Sequence, residues 1–306
     1  MTVLSDYITQ LQNLLNDPLN QFSTEIQKTY WINQARHRIA GEAQCVRVLT
    51  QSSGSLSAIS VTAGGSGYTS ATVTISSPDA MGVNFTQATA TATVLAGAVT
   101  AINITNPGTG YVNTPTITIS GDGAGATASA TLTSFWKVTA NQETYTYAAA
   151  NAIITAYNPG VSGIFGVQSV AVAWGAMKPV LRYVDWSSMQ AYMRSINYAT
   201  SAYPAVWSQY KQGQSGNVYL YPIPSQTNQM EWDCYCDVID LTSDSDVEAI
   251  PSPFTDAVPL LAAYYAYLKA QRRDDANWAV GEYKRFLREG RMYTTPSMNP
   301  DFYPNW

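Results

Sequence analysis

Hydrophobic positions near the start of the chain recur at helical spacing. Leu4, Ile8, Leu11 and Leu15 form one stripe, and Asn16, Asp17 and Pro18 stop it. A second helix is predicted from the capping box Thr24-x-x-Gln27, with Ile32, Ala35 and Ile39 facing inward. The period then changes to two. Residues 58–76, AISVTAGGSGYTSATVTIS, return at 101–120 as AINITNPGTGYVNTPTITIS. Ile59 and Val61, then Val73 and Ile75, alternate with Ser and Thr, as do Ile102/Ile104 and Ile117/Ile119, so each copy predicts a half-buried β-hairpin. Each copy closes on an Ala/Thr strand, 88–94 and 126–132, whose small inward side chains let two sheets approach closely. Two such copies are predicted to pack on each other as a small sandwich or barrel.

Beyond the repeat, residues 136–140 and 143–147 predict a hairpin around Asn141 and Gln142. Strands are predicted near 168–174, 179–184, 217–223 and 230–241, and an amphipathic helix near 186–195. The strongest helical signal follows. With Asp256 as N-cap and Pro259 in the first turn, Leu261, Tyr265 and Leu268 share a face. Asp274 or Asp275 caps a further helix with Ala279, Tyr283, Phe286 and Leu287 inward, and Gly290 ends it. Residues 292–306 hold Pro296, Pro300 and Pro304 and read as an extended arm. Its Met292, Tyr293, Phe302, Tyr303 and Trp306 are predicted to dock on a partner surface, such as a neighbouring subunit.

Charge sharpens this division. Residues 51–134 carry two charged side chains, Asp79 and Asp122, so an α+β domain formed by 1–50 and 135–291 is predicted to carry 51–134 as an inserted all-β repeat domain. The whole chain of 306 residues is 46% hydrophobic and only 12% charged, with Tyr 21 and Trp 8, which suits a buried core and large protein interfaces. A net charge of -5 argues against a molecule-wide phosphate grip. The N-terminus has no basic and apolar leader, and no run approaches the roughly 18 apolar residues of a membrane span. The expectation is a soluble chain without a membrane anchor, made in a cytoplasm. Three cysteines predict no disulfide framework.

Candidate chemistry is sparse. His37, between Arg36 and Arg38, has no assignable nucleophile, and no catalytic residue is assigned. Cys234 and Cys236 share a strand face with Trp232 and Val238 and read as buried thiols, not zinc ligands. The loops at 64–67 and 121–125 lack the Lys-Ser/Thr and helix of a phosphate loop. The GGxG phrase of the repeat is similar to calcium-binding β-roll repeats, but those need Asp two places after the last Gly, where the two copies have Thr69 and Val112. No metal or cofactor is implied. Seven acids, Glu231, Asp233, Asp237, Asp240, Asp244, Asp246 and Glu248, follow one another without a base. The run lacks the Gly of an EF-hand loop, and Asp240, Asp244, Asp246 and Glu248 are predicted to form an acidic surface past which DNA slides without sticking. Lys269, Arg272, Arg273, Lys284, Arg285, Arg288 and Arg291 make the last helices basic, a segregation suited to complementary subunit faces.

Residues 31–36 (WINQAR), 219–224 (YLYPIP) and the helix pair opened by 257–273 resemble the head-to-tail adaptor proteins of short-tailed bacteriophages, over about 220 residues outside the repeat. The repeat resembles modules of phage virion proteins and departs from the compact adaptor pattern. The resemblance implies a non-enzymatic virion protein of the neck, assembled in the host cytoplasm. It implies a homo-oligomeric ring of twelve copies, portal and tail proteins as partners with the 292–306 arm docking on the portal, and genomic DNA passing through without sequence-specific binding. The alternative reading is a surface carbohydrate-binding or polysaccharide-degrading β-repeat protein. A glycosidase there would need two carboxylates about 5–9.5 Å apart, and the repeat offers only Asp79 and Asp122. A DNA-binding regulator is disfavoured by the acidic balance.

Overall fold

A computed structural model describes residues 2–82, 84–175, 177–195, 203–211 and 213–294. In chain order its elements are α1 (Leu4–Leu15), α2 (Glu25–Ala43), β1 (Arg47–Leu49), β2 (Leu56–Ser66), β3 (Ala71–Ile75), β4 (Thr89–Leu95), β5 (Ala98–Asn106), β6 (Ile117–Gly121), β7 (Ala124–Leu132), β8 (Lys137–Val138), β9 (Thr144–Thr146), α3 (Tyr147–Tyr157), β10 (Val161–Val172), β11 (Arg182–Tyr183), α4 (Trp186–Ser195), β12 (Val206–Tyr210), β13 (Asn217–Tyr221), β14 (Asn228–Val238), α5 (Ala257–Lys269) and α6 (Arg273–Thr294). The protein is α+β with several antiparallel sheets. Among the described residues no helix is long and apolar enough to cross a membrane. Two compact units result. One takes the described residues through Val48, Asn158–Gly166 and those from Tyr235 on; the other takes Leu49–Tyr157 and Val167–Cys234. The second unit thus holds the repeat together with strands that flank it in sequence.

The first unit is mainly helical. Helix α1 buries Leu4, Tyr7, Ile8, Leu11 and Leu15 and stops at Asn16, whose φ of 52° is left-handed. Helix α2 starts where Thr24 accepts the Gln27 N–H, and it buries Ile32, Ala35 and Ile39 as the spacing predicts. Helix α5 packs against α1, α2 and α6. Its buried face differs from the predicted one: Leu261 is buried, but Leu268 is exposed and Tyr265 only half-buried. Ala262, Ala263 and Ala266 take the contact instead, because small side chains let neighbouring helices approach. Gly290 does not end α6. A Cβ there would stand 3.0 Å from the Phe254 ring, so this glycine admits an aromatic neighbour rather than a turn. Consequently residues 292–294 remain helical, and the predicted arm cannot begin at Met292. Phe302, Tyr303 and Trp306 lie outside the described residues.

In the second unit the repeat forms three two-stranded antiparallel ribbons, β2–β7, β3–β6 and β4–β5. This corrects the predicted hairpin within each copy. The first strand of one copy pairs with the last strand of the other, and the middle strands pair with each other. The arrangement is therefore a pseudo-twofold exchange between copies. Its cause lies in the Gly-x-Gly-Tyr links: Tyr68 and Tyr111 are drawn into the core between ribbons, so each link crosses to another ribbon instead of folding back. The Ala faces behave as expected, with Ala90, Ala92, Ala126 and Ala128 packed around Tyr68, Val99 and Ile102.

The flanking strands make two four-stranded sheets, β1–β14–β10 with β8 also on β14, and β11–β12–β13–β9. The hairpin predicted around Asn141 does not form, since β8 pairs with β14 and β9 with β13. Trp136 and Tyr147 pack edge to face on Trp232, with Trp136 at 4.8 Å, and Tyr145 packs edge to face on Trp136. Helix α4 lies where the periodicity puts it. Helix α3, which buries Tyr147, Ala150 and Ile154, and strand β12 were not predicted.

Candidate interaction surfaces

The acids between Glu231 and Glu248 follow one another without a base, but the fold brings bases to them. Within the second unit Lys178 Nζ stands 2.6 Å from Glu231 Oε2. Within the first, the fully buried Arg36 of α2 forks Glu248, with Nε and Nη2 each 2.9 Å from a carboxylate oxygen. The Glu248 side chain is only 4% exposed, so it adds nothing to an acidic surface, contrary to the prediction. Its charge is consumed by the guanidinium. Burial pushes the neighbouring Tyr7 hydroxyl far above its ordinary pKa, and the Glu248 carboxylate adds to that shift. Arg36 Nη1 also donates to the Ile239 carbonyl at 2.6 Å. One turn earlier, Asn33 exchanges two hydrogen bonds with the backbone of Leu241, both 2.9 Å.

His37 adds a third fastening. Its Nδ1 is 2.7 Å from Asp237 Oδ1 and its Nε2 is 2.9 Å from Asp240 Oδ1. Two carboxylates can be satisfied together only if both ring nitrogens carry protons, so the geometry selects the imidazolium. The hydrogen bond to Asp237 raises the His37 pKa most, partial burial opposes it, and Asp240 adds to the rise. Neither nitrogen is left to take a proton from a substrate. Asp244 accepts the Ser5 N–H at 2.8 Å, in the first turn of α1. Asp246 closes its own turn by accepting the N–H groups of Thr242 and Ser243, which lower its pKa. Of the four acids assigned to a channel surface, Asp240 and Asp244 are exposed. Among the described residues no three His, Cys, Asp or Glu side chains come together as metal ligands.

On α6, Lys284, Arg285, Arg288 and Arg291 are exposed, but Arg285 pairs with Glu282 and Glu289. The basic face is accordingly weaker than its sequence. A second buried pair shapes the turn between α1 and α2. Lys28 Nζ is 3.1 Å from Asp17 Oδ2, with both side chains almost fully buried. Desolvation disfavours the Asp17 anion, but the Phe22 N–H, the Lys28 ammonium and the Ser23 and Gln21 N–H groups outweigh it and hold the carboxyl at about 2.

In the repeat, Asp122 accepts the N–H groups of Thr69 and Ser70, and Asp79 those of Val112 and Asn113. Each carboxylate thus takes the backbone donors that follow one buried tyrosine of the repeat. Gly65, at φ 67°, has Ala124 O 2.5 Å from where a Cβ would be, so the Gly-rich loop is a close backbone approach. Tyr68 and Tyr111, the conspicuous aromatics of the repeat, are buried and offer no face to a sugar. Cys234 and Cys236 are buried on the face shared with Trp232 and Val238, and burial pushes the Cys45 thiol up to about 12.

Sequence reasoning missed Asn33, Asp17 and Lys28 and gave Arg36 no partner. A signal existed for two of them: Asn33 and Arg36 sit three apart beside the apolar stripe of α2, where a polar side chain must find a buried partner. No protein-family model matches this chain, and no curated protein matches it.

Proposed function

We propose that the chain is a virion structural protein, a subunit of a head-to-tail adaptor ring that joins portal to tail and forms part of the DNA channel. The β repeat is then an inserted domain carried by the adaptor core. One observation supports this reading above others. Trp31–Arg36, one of the three stretches that carry the resemblance, is the part of α2 that fastens the acidic segment: Asn33 and Arg36 hold Ile239, Leu241 and Glu248. A loop pinned this way presents Asp240 and Asp244 at fixed positions, and fixed negative charge keeps a passing DNA backbone from adhering. Twelve copies, portal and tail proteins as neighbours, and DNA bound without sequence preference follow from the same reading.

The test is light scattering after size-exclusion chromatography, for the chain alone and mixed with portal rings. Expected is a ring-sized assembly, or recruitment to portal in a fixed stoichiometry. A chain that stays monomeric, ignores portal and degrades a polysaccharide would replace this reading.

A further inference from the structure

Helices α1 and α5 leave a groove of about 520 Å³ between them, within the first unit. Its wall is mostly apolar, made by Leu14, Pro259, Leu260 and, from α6, Phe286. Gln10 and Asn13, three apart on one face of α1, add two exposed primary amides. Neither amide has a hydrogen-bond partner among the described residues. A free primary amide offers both donors and an acceptor, which is what the backbone of an extended peptide takes up. Among the described residues that line the groove Asp256 alone is charged, so the occupant it suits is an apolar extended segment of low charge.

We propose that residues 295–306, which follow α6 and lie outside the described residues, fold back as a strap in this groove of their own chain. Reach permits it. Phe286 stands eight residues before Thr294, about 12 Å along the helix, and the twelve residues beyond Thr294 span at most about 40 Å when extended. Composition fits as well. Pro296, Pro300 and Pro304 favour an extended backbone that makes no hydrogen bonds of its own, which leaves its N–H and C=O groups for Gln10 and Asn13. They also reduce the entropy lost on docking. Met298, Phe302, Tyr303 and Trp306 supply apolar surface for the wall formed by Leu14, Leu260 and Phe286. Asp301 is the segment's only charge, so recognition works through shape and the two amides rather than through ion pairing. The strap does not depend on the ring reading: it is where the arm lies before any partner is met.

The test places the photoreactive residue p-benzoylphenylalanine at position 302 of the full chain and irradiates it. Peptide mapping by mass spectrometry is expected to find the crosslink at 10–14, 256–260 or Phe286, in a product that runs as a single chain on a denaturing gel. Adding Gln10→Glu and Asn13→Glu is expected to remove most of that product, because the amide donors go and acids then face Asp301. Both positions are exposed, so circular dichroism is expected to match that of the parent chain. Crosslinks that join two chains would seat the segment on a second copy and overturn the proposal. So would crosslinks mapped elsewhere, no crosslink at all, or an undiminished yield in the folded double variant.

Discussion

Asp79 and Asp122 each secure the other's copy of the repeat. Asp79, in the first copy, accepts the Val112 N–H at 2.7 Å, and Asp122, in the second, accepts the Thr69 N–H at 2.9 Å. These are the only two charged residues of 51–134, and both are spent on backbone donors next to the buried tyrosines. The Thr69 hydroxyl first, then the Thr69 and Ser70 N–H groups, hold the Asp122 carboxyl at about 2. A depressed folded pKa means stability that is present above the ordinary value of 3.8 and lost as pH falls toward 2. Asp122→Asn is expected to melt lower than wild type at pH 7 and to converge with it near pH 2, in thermal scans by circular dichroism.

His37 has the opposite sign. Its folded pKa lies above 6.5, so its link to Asp237 and Asp240 contributes fully below about pH 6.5 and is lost as pH rises through the raised value. The melting temperature of wild type relative to His37→Gln is therefore expected to shrink between pH 6 and pH 9. A difference that does not change with pH would show the ring to be neutral, with one carboxylate contact broken.

Arg36 and Glu248 are both nearly inaccessible, and removing one leaves the other's charge stranded. Arg36→Met is expected to cost ~3–5 kcal/mol in urea unfolding. Arg36→Met with Glu248→Gln should recover much of that loss, because no uncompensated charge remains.

The repeat begins and ends at one place: Leu56 pairs with Leu132, and Gly54 lies against the Thr133 carbonyl. Replacing residues 54–132 by a short Gly/Ser linker is expected to leave a cooperative unfolding transition. Gln229 would keep its bond to the Ser52 carbonyl while losing its bond to the Met81 N–H. Loss of cooperativity would make the repeat integral to the second unit.

If the exposed acids line a DNA path, reversing their charge matters more than removing the buried ones. Asp240→Lys with Asp244→Lys is expected to slow DNA ejection from assembled particles, while the subunit keeps its circular dichroism spectrum. Ejection at the wild-type rate would assign both residues to an ordinary solvated face.

Much of the fold was legible because local patterns decide local structure. The caps at Thr24, the stripes of α1 and α2 and the alternation in β14 involve neighbours in sequence, and each survives in the fold. What failed were pairings. A period of two says which face of Val73 is buried, but not that its partner is Ile119 rather than Val61. Likewise the acids were visible and their bases were not, because Arg36 lies 212 residues from Glu248. The end of α6 was misjudged because glycine has two uses, and only the Phe254 ring tells which one applies at 290.

The exchange of strands between copies also sets an order of events during synthesis. Strand β2 finds its partner only after residue 132 has been made, so the first copy leaves the ribosome with its apolar face uncovered. Long-range pairing of this kind is slow to nucleate, since the loop must close before any contact rewards it. The tight β4–β5 hairpin, turned at Ala96 and Gly97, is the one ribbon able to form early, and it is the natural template on which the two outer ribbons assemble. A chain that stalled between residues 106 and 117 would hold that hairpin and little else of the repeat.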